Sequence, residues 1–144
     1  MNDSPSFKKY IQLDHTGDVR IQVFGNSMQE LFSNAAYALF DTITDVDKIE
    51  SQIAETIEVS GSDKEELLVN WLSELNYLFV TESKIFNKYE IEHFRDGELI
   101  ATVLGEKFNT HKHPFHTEIK AVTFHDLLIE KVGRHWETKI VFDI

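Results

Sequence analysis

Asp18-Val19-Arg20-Ile21-Gln22-Val23-Phe24-Gly25-Asn26-Ser27-Met28-Gln29-Glu30-Leu31-Phe32 contains both of the periods from which this chain is built. Val19, Ile21 and Val23 alternate with Arg20 and Gln22, the period of two that turns one face of a strand toward a core. Gly25-Asn26 breaks the strand. Ser27 and Glu30 then stand at the spacing of a capping box, in which each side chain satisfies the other's free backbone N–H. Behind the cap, Met28, Leu31, Phe32, Ala35, Ala36, Leu39, Phe40 and Ile43 recur at helical spacing. A half-buried strand followed at once by an amphipathic helix points to an α+β fold.

Working outward, Tyr10-Ile11-Gln12-Leu13 reads as a strand before this unit. After it, Gln52 to Ser60 reads as another, ended by Gly61. Ser62-Asp63-Lys64-Glu65 repeats the capping-box spacing and opens a second helix with Leu67, Leu68, Trp71, Leu72, Leu75, Leu78 and Phe79 on one side. Asp96-Gly97, between a run ending at Phe94 and Leu99 to Leu104, is a hairpin signal. Gly105 to Phe115 is polar and rich in histidine, and reads as a loop. Ile119 to Ile129 alternates as one long strand. Val132-Gly133-Arg134 turns the chain into a last strand, with Trp136, Thr138, Ile140 and Phe142 on one face and Glu137, Lys139, Val141 and Asp143 on the other. The expectation is one α+β domain over residues 1–144: a single two-layer domain, two amphipathic helices packed on a mainly antiparallel sheet, with residues 1–6 disordered.

Composition narrows the function. The chain has no cysteine, which excludes disulfides, thiol nucleophiles and cysteine–zinc sites. Residues 1–6 lack the basic and apolar segments of a signal peptide, and no apolar run is long enough to span a membrane, so a soluble cytoplasmic protein is expected. The net charge is −11, from 25 acidic and 14 basic residues. Nucleic-acid binding depends on basic residues that displace phosphate counterions, so strong direct binding is not expected. An acidic surface favours cations and basic partners.

Two acidic stretches stand out. Asp14-His15-Thr16-Gly17-Asp18 lies between two strands, and Asp143-Ile144 ends the last one. Taken alone, the first reads foremost as a turn whose side chains bond their own backbone, and second as a cation site, with Asp18 the ligand and Asp14, His15 and Thr16 its supports. If the two strands lie close, their carboxylates need a cation, a basic side chain or water between them. His111, His113 and His116 are close enough in sequence to bind zinc or copper, although Lys112 and Pro114 suit a solvated loop. Lys120 lies in the alternating run, on the face shared with Asp126 and opposite His125, which reads as a structural histidine. No serine-centred triad, phosphate-binding glycine loop or zinc-protease helix is present.

These segments together resemble the archease family. The resemblance is carried by Asp14-His15-Thr16-Gly17-Asp18, by Glu30-Leu31-Phe32 with Ala35-Ala36, and by Glu66-Leu67-Leu68-Val69 with Trp71-Leu72. It continues through Gly105-Glu106, Glu118-Ile119-Lys120-Ala121-Val122-Thr123-Phe124-His125 and Asp143-Ile144, and so spans nearly the whole chain. Gly17 stands where alanine is frequent and Phe124 where tyrosine is frequent; neither change removes a charge. Of the three loop histidines, only His113 matches the family.

The resemblance implies an accessory protein, not an enzyme. Archeases assist the RNA-splicing ligase, which uses GTP and manganese to join ends bearing a 2′,3′-cyclic phosphate or 3′-phosphate to a 5′-hydroxyl. They speed its guanylylation and support multiple turnover in tRNA splicing and RNA repair. A divalent cation is implied at Asp18, Asp143 and Ile144: calcium in the family, with manganese and magnesium as alternatives. Lys120, Asp18 and Asp143 are implied in activating the ligase. Two other classes compete, a stand-alone metal-dependent hydrolase using the same acids and a chaperone-like scaffold without chemistry.

Overall fold

The computed structural model describes residues 8–14 and 17–144. Its elements run β1 (Tyr10–Asp14), β2 (Asp18–Gly25), α1 (Met28–Ile43), β3 (Ile53–Ser60), α2 (Lys64–Glu82), β4 (Lys84–Arg95), β5 (Glu98–Lys107), β6 (Ala121–Thr123), β7 (Glu130–Val132) and β8 (His135–Asp143). A single 3₁₀ turn, Val46–Lys48, follows α1. Every pairing among these strands is antiparallel. The strands form two sheets. One has the order β1-β2-β8-β6, with β7 also paired to β8; the other has the order β3-β5-β4. The α+β architecture therefore has two helices on antiparallel sheets.

The capping chemistry fixes where the helices begin. The Ser27 hydroxyl accepts the Glu30 N–H at 3.0 Å, and the Glu30 carboxylate accepts the Asn26 N–H at 2.5 Å. In α2 the box sits one residue later than the Ser62–Glu65 spacing predicts. Asp63 is the N-cap, accepting the Glu66 N–H at 2.8 Å, while Glu66 accepts the Ser62 N–H at 2.5 Å. The run Ser62-Asp63-Lys64-Glu65-Glu66 contains two overlapping boxes. Aspartate takes the cap, which suits a charged acceptor at a helix N-terminus.

Both helices press their apolar sides onto the sheets, α1 against β2 and β4, and α2 against β3 and β6. Leu31, Phe32, Ala35, Leu39, Phe40, Leu68, Trp71 and Leu72 are fully buried. Each large side chain removed from water in this way contributes about 1.5–3 kcal/mol. The indole N–H of Trp71 donates to the Phe32 carbonyl at 2.9 Å and ties the helices together inside the core. The Tyr10 hydroxyl, donating to Asp41 at 2.6 Å, fastens edge strand β1 to α1.

Two strand readings change. Gly105 does not end β5, which runs on to Lys107. A Cβ there would run into the Ile85 carbonyl, so this glycine marks a close approach of β4 and β5, not a break. The run Ile119 to Ile129 is not one strand. Pairing stops at Thr123 and resumes at Glu130, and Asp126 between them is in the left-handed region at φ 54°. Leu127 and Ile129 tuck into the core from this turn, so the apolar alternation continues after the strand has ended.

Candidate functional site

β2 and β8 are the central strands of the larger sheet, and their register sets the site. Val19 faces Phe142 and Ile21 faces Ile140, all buried toward the helices. The residues between them therefore look outward. At the open end of the ladder Asp18 stands directly opposite Asp143. Residues opposed in this way have Cβ atoms about 4.5–5.5 Å apart, and like charges so placed repel. The two acidic stretches, far apart in sequence, thus meet in one rung.

One cation already answers this charge. Arg20, two residues along the same strand face, places Nε 3.2 Å and Nη2 3.5 Å from the two Asp18 carboxylate oxygens. Both side chains are partly solvated, with the Arg20 side chain 48 % exposed and that of Asp18 30 %. Arg20 is not among the residues expected at the site from sequence. Its signal was nevertheless present, since period two puts residues 18 and 20 on one face.

β6 joins from the other side. Ala121 pairs with Asp143, and the Lys120 N–H donates to the Asp143 carbonyl at 2.7 Å. The main chain of Lys120 therefore lies beside the carboxylate pair, and the residue is exposed. Its expected shared face with Asp126 is corrected by the turn at Asp126, across which period two does not carry. His125 is also corrected: its side chain is 68 % exposed and sits 3.2 Å from Asp126. Ile144 is half-buried against the core. Asp14 ends β1 with its Cα opposite Arg20; His15 and Thr16 lie outside the described residues.

The donor set suits a hard cation. Asp18 and Asp143 supply carboxylate oxygens and Ile144 can add main-chain oxygen, the ligand type of calcium, magnesium and manganese. A calcium shell takes six to eight oxygens, so water or a partner would complete it. Beside the pair, the outer face of the sheet is a cleft of about 560 Å³ lined by Leu13, Arg20, His125, Leu128, Glu137 and Lys139.

The histidine loop is built differently. His113 is buried, whereas His111 and His116 are exposed. His113 Nδ1 accepts the Asn109 N–H at 3.0 Å, which leaves its proton on Nε2, 2.9 Å from a Glu106 oxygen. Glu106 also accepts the Glu50 N–H at 2.8 Å and the Lys112 ammonium at 2.9 Å. Burial pushes the Glu106 carboxyl up, but the Lys112 ammonium, the Glu50 N–H and His113 outweigh it and hold it below the usual range. With both ring nitrogens engaged, His113 is a structural clasp and the three histidines do not converge. Among the described residues no three His, Cys, Asp or Glu side chains group as a metal site, and no helix is long and apolar enough to cross a membrane.

The sequence profile of the Archease protein family (MTH1598/TM1083) matches residues 10–144. A protein archease of Methanosarcina acetivorans is 41% identical over 141 residues, covering 95% of this chain and 97% of its own. One from Pyrococcus furiosus is 39% identical over 142 residues, covering 95% and 99%. Among solved structures, protein 1598 of Methanobacterium thermoautotrophicum superposes with TM-score 0.78 at 28% identity, covering 95% of this chain and 99% of the other. An archease of Thermotoga maritima, described as a possible chaperone, superposes with TM-score 0.65 at 25% identity, covering 92% and 94%.

Proposed function

The chain belongs to the archease family, and from that premise we propose that it is a non-enzymatic activator of an RNA-splicing ligase. In this reading it promotes guanylylation and multiple turnover of a GTP-dependent ligase that joins 2′,3′-cyclic phosphate or 3′-phosphate ends to 5′-hydroxyl ends. Its setting would be tRNA splicing and RNA repair in the cytoplasm.

The observation that carries the proposal is the rung in which Asp18 faces Asp143, with the Lys120 N–H on the Asp143 carbonyl. Three residues that an activating tip needs thus come from β2, from β8 and from the position just before β6, at one end of the larger sheet. Asp18, Asp143 and Ile144 would hold a divalent cation, calcium first with manganese or magnesium as substitutes, and that cation would supply positive charge to the partner's reacting centre. The chain's own part is to hold the oxygens in register, to present Lys120 beside them and to leave the rim open for a protein surface. The net charge of −11 disfavours RNA as the docking partner and favours the ligase itself.

The test is a guanylylation time course of the cognate ligase with and without the chain. Wild type should speed the reaction, and Asp18→Ala, Asp143→Ala and Lys120→Ala should each lose at least about tenfold of the stimulation while melting like wild type. Normal stimulation by all three variants would reject the tip. Turnover of phosphate esters by the chain alone would favour a hydrolase instead.

A further inference from the structure

We infer that Arg20 is a resident competitor for the cation site, so that this chain keeps the Asp18–Asp143 rung arginine-capped and takes up a divalent cation only when Asp18 is withdrawn from the guanidinium. The inference rests on the cation reading above and adds what sets the affinity of the site.

The geometry supports it in three ways. First, the guanidinium meets both Asp18 oxygens, at 3.2 and 3.5 Å, and those are the oxygens a cation would take. Second, the contact is long and partly solvated, so it is an ion pair that can be broken. The Arg20 side chain is 48 % exposed, and pairs of this kind are weak in water. Third, β-strand spacing ties Arg20 to the rung, because residues 18 and 20 share the outward face of β2 whatever their rotamers. A fixed positive charge beside the pair relieves the repulsion between Asp18 and Asp143, and the same charge repels an incoming cation. Arg20 also lines the cleft beside the rung, so a group bound in that cleft has direct access to it.

The experiment is calcium titration of the full chain by calorimetry, on wild type, Arg20→Gln, Arg20→Lys and Asp18→Asn. Arg20→Gln should bind calcium about three- to tenfold more tightly, the effect of removing one nearby and partly screened positive charge. Arg20→Lys keeps the charge without the fork and should fall between the two. The Arg20 Nε–H signal in the wild-type NMR spectrum should move as calcium is added, with the same midpoint as the heat. Equal or weaker binding by Arg20→Gln, or a stationary Nε–H signal at saturation, overturns the competitor role while leaving the cation site intact. If Asp18→Asn binds as tightly as wild type, or if wild type and Arg20→Gln both bind no calcium, the cation reading itself falls and the inference falls with it.

Discussion

Two groups of ionisable side chains differ in how far their charges are answered. Around Glu106 every charge is answered: three donors converge on one buried carboxylate, and His113 is wholly enclosed. Around Asp18 the account stays open. Two carboxylates face each other in one rung, Arg20 leans on one of them, and the Arg20 and Asp18 side chains are both partly solvated. A saturated buried network resists rearrangement, and its work is to hold chain together. In a partly exposed rung with excess charge of one sign, the side chains add little to holding the chain and gain from a ligand. The difference separates the part of the molecule that makes the fold from the part that uses it.

The sharpest way to break this contrast is to spoil the closed cluster. Glu106→Gln replaces one acceptor oxygen with an NH₂ group where the Glu50 N–H, the Lys112 ammonium and the His113 N–H all point inward. A donor then meets donors, which should cost about 2–3 kcal/mol and lower the melting temperature by about 5–10 °C. A thermal or urea melt checks it, and a variant as stable as wild type would remove the clasp from the fold's stabilising contacts. The pH dependence sharpens the same point. Because the folded Glu106 carboxyl lies below its ordinary value of 4.5, its contribution is fully present above that pH and is lost as pH falls through the lower folded value. The stability gap between wild type and Glu106→Gln should therefore stay constant from neutral pH down to about 5 and close below about 4.5. A gap that persists unchanged in acid would mean that the carboxylate's charge is not what the cluster uses.

The open rung should behave in the opposite way. Asp143→Asn removes one of two like charges set directly across β2 and β8. Relief of that repulsion should raise stability by about 0.2–1 kcal/mol. The same change should cut calcium affinity and ligase stimulation, which places stability and function on opposite sides of a single substitution. A clear loss of stability would mean that Asp143 carries structural bonds like those of Glu106.

The two regions also differ in how far they could be read from the sequence. Strand and helix faces were legible wherever period two or 3.6 held and a cap marked the start, as from Val19 to Ile43. The pattern misled where buried residues alternate without a strand beneath them, as from Phe124 to Ile129, and where two caps overlap at Ser62 and Asp63. Asp18 and Asp143 could be picked out as acids, but their shared rung depends on register between strands more than a hundred residues apart. The pattern along one strand does not carry that information. The clasp was hidden for a different reason. Glu106 and His113 look like solvated loop residues until β5 is known to continue past Gly105 and bury them.

Asn76 stands between the two regions and should show the smallest effect. It lies on α2, is 7 % exposed, and its Nδ2 donates to the Ile119 carbonyl at 2.8 Å, the last anchor of the crossover before Lys120. Its Oδ1 has no hydrogen-bond partner among the described residues, which makes the side chain a costly way of holding one carbonyl. Asn76→Leu would leave the Ile119 carbonyl unpaired, a loss of about 1–3 kcal/mol, but would remove an orphaned oxygen of similar cost and add apolar contact with the core. These terms nearly cancel, so the melting temperature should move by no more than about 2 °C. Lys120 keeps its own bond to the Asp143 carbonyl, and the clasp upstream is untouched. Hydrogen exchange at the Lys120 amide should therefore stay as slow as in wild type. Faster exchange with unchanged stability would show that the crossover is located by Asn76 more than by Glu106 and His113, and the division between a holding region and an exposed working edge would have to be redrawn to include α2.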